Sequence, residues 1–231
     1  ESAMQARAGG RAHEADFVRY GLRISRGEWD ESRTISARLY EKEPQIYRQH
    51  YIAFLMETGD ISRLISVLET YLNHDVSDTS AVLLYAALLS RNGNTEKVEK
   101  FLLGTLKVNQ SELVHNQLAN VYLKQSKVNL AYEHAKIAYD KAPANAAIND
   151  TLGWVLFKQG QTQEALPLLR AAYSKASLQP DVNYHLAEAL LKLERRKEAR
   201  VLFEAAIKLG GEGGKSASQR LSQLNLAGED T

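Results

Sequence analysis

The chain has 231 residues, 44% of them apolar and 25% charged, with a formal net charge of +1. That length and apolar content suffice for a large core or an extended array, and the interleaved acids and bases offer no basic stripe for a nucleic-acid backbone. Cysteine is absent, which removes disulfides, thiol catalysis and thiolate zinc sites, and no run approaches the roughly 18 apolar residues of a membrane helix.

The opening residues ESAMQARAGG carry neither an initiator Met nor an apolar leader. Residues 1–12 read as the remnant of an upstream segment, and attachment to a membrane is expected only through sequence before residue 1. From there a repeating helical unit is predicted. A first unit over 13–44 uses Tyr20-Gly21, Ile24, a turn at Gly27-Glu28-Trp29 and a closing Pro44. Trp29, beside that turn, is expected to pack. A second unit over 45–78 places Leu55, Gly59, Leu64 and Leu68 in the same register. A third over 79–111 does so with Tyr85-Ala86, Leu89, Gly93 and Leu102.

The units 112–145, 146–179 and 180–213 repeat most clearly. Leu118-Ala119, Leu152-Gly153 and Leu186-Ala187 recur at a spacing of 34 residues. Tyr122, Leu156 and Leu190 follow in phase, as do the columns Ala131, Ala165, Ala199; Ala135, Leu169, Phe203; and Ala138, Ala172, Ala206. Pro167 is placed in the first turn of its helix, where a missing N–H is tolerated. Arg195-Arg196-Lys197, beside Glu194 and Glu198, reads as a solvated corner of mixed charge. After a glycine break at GGEGG, Ala217, Leu221 and Leu224 share a helical face, so 214–231 is predicted as a capping helix and tail.

This pattern resembles the tetratricopeptide repeat (TPR) family, whose unit is a helix–turn–helix of that length. Pro143 stands where the family places its inter-repeat proline, and Gly160 at its turn glycine. The resemblance implies an all-α, right-handed superhelical solenoid of six units whose first helices line a concave groove.

Trp154 lies two residues from both Leu152 and Leu156, roughly 200° around the helix from that packing stripe. Its own face carries Asp150, Phe157 and Lys158. The equivalent faces are Asn116, Asn120 and Lys124 one repeat earlier, and Tyr184 and Glu188 one repeat later. By the resemblance these nine residues line the groove and form the candidate partner-binding set: aromatic anchors, amides that pair with an extended backbone, and a charged rim. Two roles stay open for Trp154, gripping a ligand or packing against Tyr184 of the next first helix.

The six histidines show no pair four apart on one helix, so no metal or other cofactor is expected. GGEGG lacks the Lys-Ser/Thr of a phosphate loop. His115 and His185 read as packing or hydrogen-bonding residues, and an enzyme is not expected. The family's carboxylate clamp for acidic tails is departed from: Asn120 matches, but Asn116, Thr151, Asp181 and His185 replace the other members.

AINDTLGWVLFKQGQTQEALPLLRAAY followed by DVNYHLAEALLKLERRKEARVLFEAAI is similar to the C-terminal repeats of bacterial TPR proteins linked to exopolysaccharide production and export, including exosortase-associated lipoproteins. That similarity implies a periplasmic scaffold that binds a protein or peptide partner. The alternatives are a self-assembling structural module and a carbohydrate-binding module in which Trp154 and Tyr184 stack on a polysaccharide.

Overall fold

The computed structural model describes Gly21, Arg23 and residues 27–91 and 93–226. The expected remnant 1–12, the expected positions of Tyr20 and Ile24, and the tail beyond residue 226 lie outside the described residues. Among the described residues there are twelve helices and no strand. None is long and apolar enough to cross a membrane.

The chain divides into two compact units, the first ending at His74 and the second beginning at Asp75. The first contains α1 (Trp29–Lys42), α2 (Pro44–Thr58) and α3 (Ile61–Leu72). Pro44 opens α2, where its fixed φ suits the first turn. Asp60 caps α3 by accepting from the Arg63 amide. Phe54, Leu55, Leu64 and Leu68 form the core of this unit. Trp29 packs on Phe54 at 6.4 Å between ring centroids, with its outer surface 39% exposed.

The second unit contains α4 (Thr79–Arg91), α5 (Thr95–Thr105), α6 (Glu112–Lys124), α7 (Val128–Lys141), α8 (Ala146–Lys158), α9 (Thr162–Ala176), α10 (Pro180–Lys192), α11 (Arg196–Leu209) and α12 (Gly211–Leu226). From α5 onwards each helix packs on the one before it, and α4, α6, α8, α10 and α12 also pack on one another in succession. The result is an all-α stack of helix pairs, with first helices on one side and second helices on the other. Each pair's apolar stripe is buried only because a neighbour covers it.

The turns inside the pairs share one geometry. Gly59, Gly93 and Gly160 have left-handed φ of 70°, 75° and 83°, and Ser126 and Glu194 adopt φ 59° at the corresponding places. After Gly59, Ser126, Gly160 and Glu194 the next amide reaches back across the helix end. Lys127 donates to the Tyr122 carbonyl, Gln161 to Leu156 and Arg195 to Leu190, each at 2.9 Å. Between pairs, the buried amides of Asn149 and Asn183 staple the loops: Asn149 donates to the Pro143 and Asn145 carbonyls, Asn183 to those of Ser177 and Gln179.

Two expectations are corrected. Pro167 is the sixth residue of α9, past the first turn, so the Gln163 carbonyl loses its helical donor. The residue is exposed, and water reaches that carbonyl's side of the helix. The glycine break is shorter than GGEGG and the capping helix starts before 214. Only Gly210 and Gly211 have positive φ, and α12 begins at Gly211. Gly213 and Gly214 sit inside the helix because backbones approach closely there. A Cβ on Gly213 would meet the Asp181 amide nitrogen at 2.5 Å, and one on Gly214 the Ala206 carbonyl at 2.7 Å.

The glycine before Trp154 has the same kind of role. A Cβ on Gly153 would meet Leu169 Cγ at 2.8 Å. Ala119 and Ala187 occupy the equivalent places, facing Ala135 and Phe203, so the first-helix position is pared down only where Leu169 intrudes. Gly153→Ala is expected to destabilise by about 1–2 kcal/mol despite alanine's better helix propensity, and Leu169→Ala by about 2–5 kcal/mol. The double variant is expected to lose about 1 kcal/mol less than the sum in urea unfolding; strict additivity would show that this contact does not limit the helix spacing.

Candidate partner-binding face

The nine predicted site residues all lie on first helices of the second unit, and burial sorts them. Asn116, Asp150 and Glu188 are buried, Asn120, Trp154, Phe157 and Tyr184 are half-buried, and Lys124 and Lys158 are exposed. Much of the set therefore lies in the seams between successive first helices.

The central cluster joins α8 to α10. His185 Nδ1–H donates to both carboxylate oxygens of Asp150, at 2.9 and 3.0 Å. The Trp154 ring stacks on the His185 imidazole at 4.1 Å and on Phe157 at 4.9 Å, and meets Tyr184 edge-on at 5.8 Å. Lys158 Nζ sits 4.3 Å from the Trp154 ring centroid, within cation–π range. The structure thus brings Asp150, Trp154, Phe157, Lys158 and Tyr184 together around His185. The stacking surface of Trp154 is occupied by the chain's own side chains, so its observed contacts are packing between repeats.

Asn116 and Asn120 stand apart from that cluster, on α6. The Thr151 hydroxyl on α8 donates to the Ala147 carbonyl of its own helix at 3.0 Å, and Asn120 Oδ1 lies 3.4 Å from it, a looser polar contact between α6 and α8. Asn116 Oδ1 is buried with no hydrogen-bond partner, a costly position for an amide oxygen.

Glu188 lies beneath the capping helix, 2.9 Å from Arg220 Nε. The two atoms are close enough for strong Coulomb attraction but are not aligned as a hydrogen bond. Burial pushes the Glu188 carboxyl above its usual value, and Arg220, Lys158 and His185 pull it back. Burial also raises the Tyr184 phenol, with the Glu188 charge adding to the effect. Arg220 was not among the predicted residues. The signal for it lies in its register: in KSASQRLSQLN it stands three residues after Ala217 and four before Leu224, at the edge of the apolar stripe, and only the docking of α12 places it over an acid.

A second polar pair lies inside one repeat. His115 Nδ1 on α6 and His134 Nδ1 on α7 are 2.9 Å apart, and His115 Nε2 is 3.2 Å from Gln110 Oε1. The Gln110 amide nitrogen is committed to the Leu106 carbonyl, so its oxygen accepts from His115 Nε2–H. His115 Nδ1 then carries the lone pair and His134 Nδ1–H donates to it. Burial lowers the His115 pKa to about 4, with His134 and Lys141 adding repulsion, and burial lowers His134 against the pull of Glu133. Elsewhere among the described residues no three His, Asp or Glu side chains gather to hold a metal.

With this geometry in view, the chain can be set beside known proteins. The tetratricopeptide repeat family profile matches residues 116–177 and 156–212. Residues 116–212 of this chain are tetratricopeptide repeats. No curated protein matches it. Among solved structures it is similar to YrrB, described as a TPR protein with an unusual peptide-binding site, at 16% identity and a TM-score of 0.54, covering 82% of this chain and 98% of that one. It is similar to MamA from Desulfovibrio magneticus at 17% identity and a TM-score of 0.55, covering 75% and 94%. Against the APC/C hetero-tetramer Cut9–Hcn1 the identity is 16% and the TM-score 0.66, covering 86% of this chain and 40% of that one. At such identities the likeness establishes the helical-repeat fold.

The histidine pair yields a pH dependence of defined sign. Both folded-state pKa values are depressed, so the unfolded chain binds more protons as the pH falls below about 6.5. The pair's contribution is complete above that pH and is lost as the pH falls from there towards about 4. Wild type is expected to lose about 2–3 kcal/mol more than His115→Gln between about pH 7 and about pH 4.5, read from thermal unfolding of both proteins. Parallel curves would show that the pair does not titrate in the folded state.

Proposed function

We propose that this chain is a non-enzymatic protein-interaction scaffold that holds a peptide or partner-protein segment along its first-helix face, in bacterial envelope or exopolysaccharide assembly in the periplasm. The observation that carries the reading is the construction of that face. Asp150–His185 and Glu188–Arg220 link consecutive first helices, and Trp154 is wedged between two of them. A surface stiffened in this way meets a partner with little further loss of conformational entropy. The half-buried rims of Trp154, Phe157 and Tyr184 offer aromatic edges, and Lys124 and Lys158 offer exposed cations beside them. On this reading the buried members of the predicted set position the face and the exposed members touch the partner.

The tetratricopeptide repeats and the peptide-binding description of one structural neighbour support the protein-scaffold part. The exopolysaccharide and periplasmic part rests on the DTLGW and YHLA segments alone. Direct stacking on sugar rings is the less favoured reading, since Trp154 already carries His185, Phe157 and Lys158 on its ring.

The test is affinity capture from an extract of the source cells with wild type and a Lys124→Glu, Lys158→Glu variant. Both lysines are exposed, so the folded structure is expected to survive, as a matching melting curve would verify. A partner held by wild type is expected to weaken at least about tenfold for the variant. Equal retention would remove the first-helix face from the reading, and a partner outside polysaccharide assembly would remove the pathway.

A further inference from the structure

The opposite side of the second unit carries a feature that the first-helix face does not explain. Helices α9 and α11, the second helices of successive pairs, pack against α10 and not against one another. Between them runs a groove of about 390 Å³. Its floor is Leu186 and Leu190 of α10, both nearly inaccessible, and its sides include Tyr173 of α9 and Val201 of α11. Val201 is 65% exposed, at the mouth. The corresponding positions in the two preceding repeats are Glu133 and Pro167. An exposed β-branched apolar side chain therefore appears here where the array otherwise sets a charge or a proline.

The rim is cationic in balance. Glu198 is held by Arg195 in a two-point pair, at 2.6 and 2.7 Å. Arg170, on the facing wall, reaches the same carboxylate only at 3.9 Å. Lys197 stands one turn before Val201 and is exposed. Arg195 also caps α11 without a side-chain hydrogen bond, so the positive end of that helix dipole faces the same corner. Glu204, exposed one turn after Val201, adds a second carboxylate, so three cations stand against two acids at the mouth of an apolar slot, and one of those acids is already engaged.

We infer that the groove between α9 and α11 is a second docking site, for a partner-protein segment that presents a large apolar side chain flanked by carboxylates. The slot has room for one or two such side chains, and the cations at its mouth select acidic neighbours over basic ones. A protein segment fits better than a membrane surface, because Leu186 and Leu190 are recessed where a side chain can enter and a flat bilayer does not reach. The site lies on the face away from Lys124 and Lys158, so it stands whether or not the first-helix reading does.

The experiment selects short random displayed peptides on wild type, with counter-selection against Val201→Asp, and then measures the enriched peptides by fluorescence anisotropy. Val201 is exposed, so the substitution is expected to leave the fold intact, and Arg170→Glu serves as a second, independent variant. Enriched peptides are expected to carry Leu, Phe or Trp next to Asp or Glu. They are expected to weaken at least about tenfold on Val201→Asp and on Arg170→Glu, and to bind the Lys124→Glu, Lys158→Glu variant as they bind wild type. Failure to enrich any peptide, enrichment of basic peptides, or equal binding to Val201→Asp would each overturn the proposal. So would vesicles of phosphatidylglycerol and phosphatidylcholine that bind wild type and release it on Val201→Asp, which would make the groove a lipid contact.

Discussion

The closeness with which the two helices of a pair approach sets the rest of the second unit. Ala119, Gly153 and Ala187 face Ala135, Leu169 and Phe203, and all six are buried. Where the second helix carries leucine and its side chain reaches the α8 backbone, the first helix gives up its Cβ altogether. Ala131, Ala165 and Ala199 pack the other side of the same contact. With that spacing held, the left-handed turn and its reaching amide return the chain at the same angle in each pair, and the stack propagates by repetition. The same constraint explains Gly213 and Gly214: α12 caps the array by lying almost backbone to backbone on α10 and α11.

Between pairs the balance differs. Successive first helices are joined by polar side chains with limited access to water: His185 to Asp150, and Arg220 to Glu188. Each such tie costs desolvation and is favourable only when both partners are in place. Breaking one by removing a single partner is therefore more damaging than its net worth, and the seam holds a definite geometry as a consequence. Trp154 adds apolar area to the same seam while its stack with His185 helps fix the imidazole that holds Asp150. A face assembled this way is rigid before any partner arrives, while the exposed lysines beside it remain free to be rearranged by one.

The repeat columns were legible in the chain because they obey a short-range rule: small or apolar residues at a fixed spacing on one helical stripe. The burial of Leu118, Leu152, Leu186 and the alanine columns follows from that rule alone. The candidate face was legible only in part. Helical geometry places Trp154 away from the Leu152–Leu156 stripe, and Tyr184 beside it was foreseeable one repeat on. What helical geometry does not contain is how deep that face lies. Asp150 and Glu188 are polar residues that the pattern assigns to a solvated groove, and they are buried because His185 and Arg220 arrive from neighbouring helices to cover them. Glycine spacing misled at GGEGG for a related reason: four glycines read as a break before the helix, whereas two of them are small because another backbone lies against them.

The sequence by itself determined the fold class, the pairing of helices within each repeat and the places where the chain turns, because these depend on contacts within a few dozen residues and on conformational limits of single residues. The tertiary structure alone decided which polar side chains meet, that His134 lies within hydrogen-bond reach of His115, that Arg220 covers Glu188, and that a groove opens between α9 and α11. Those outcomes turn on distances of an ångström or less between elements far apart along the chain, and a repeat pattern carries no record of them.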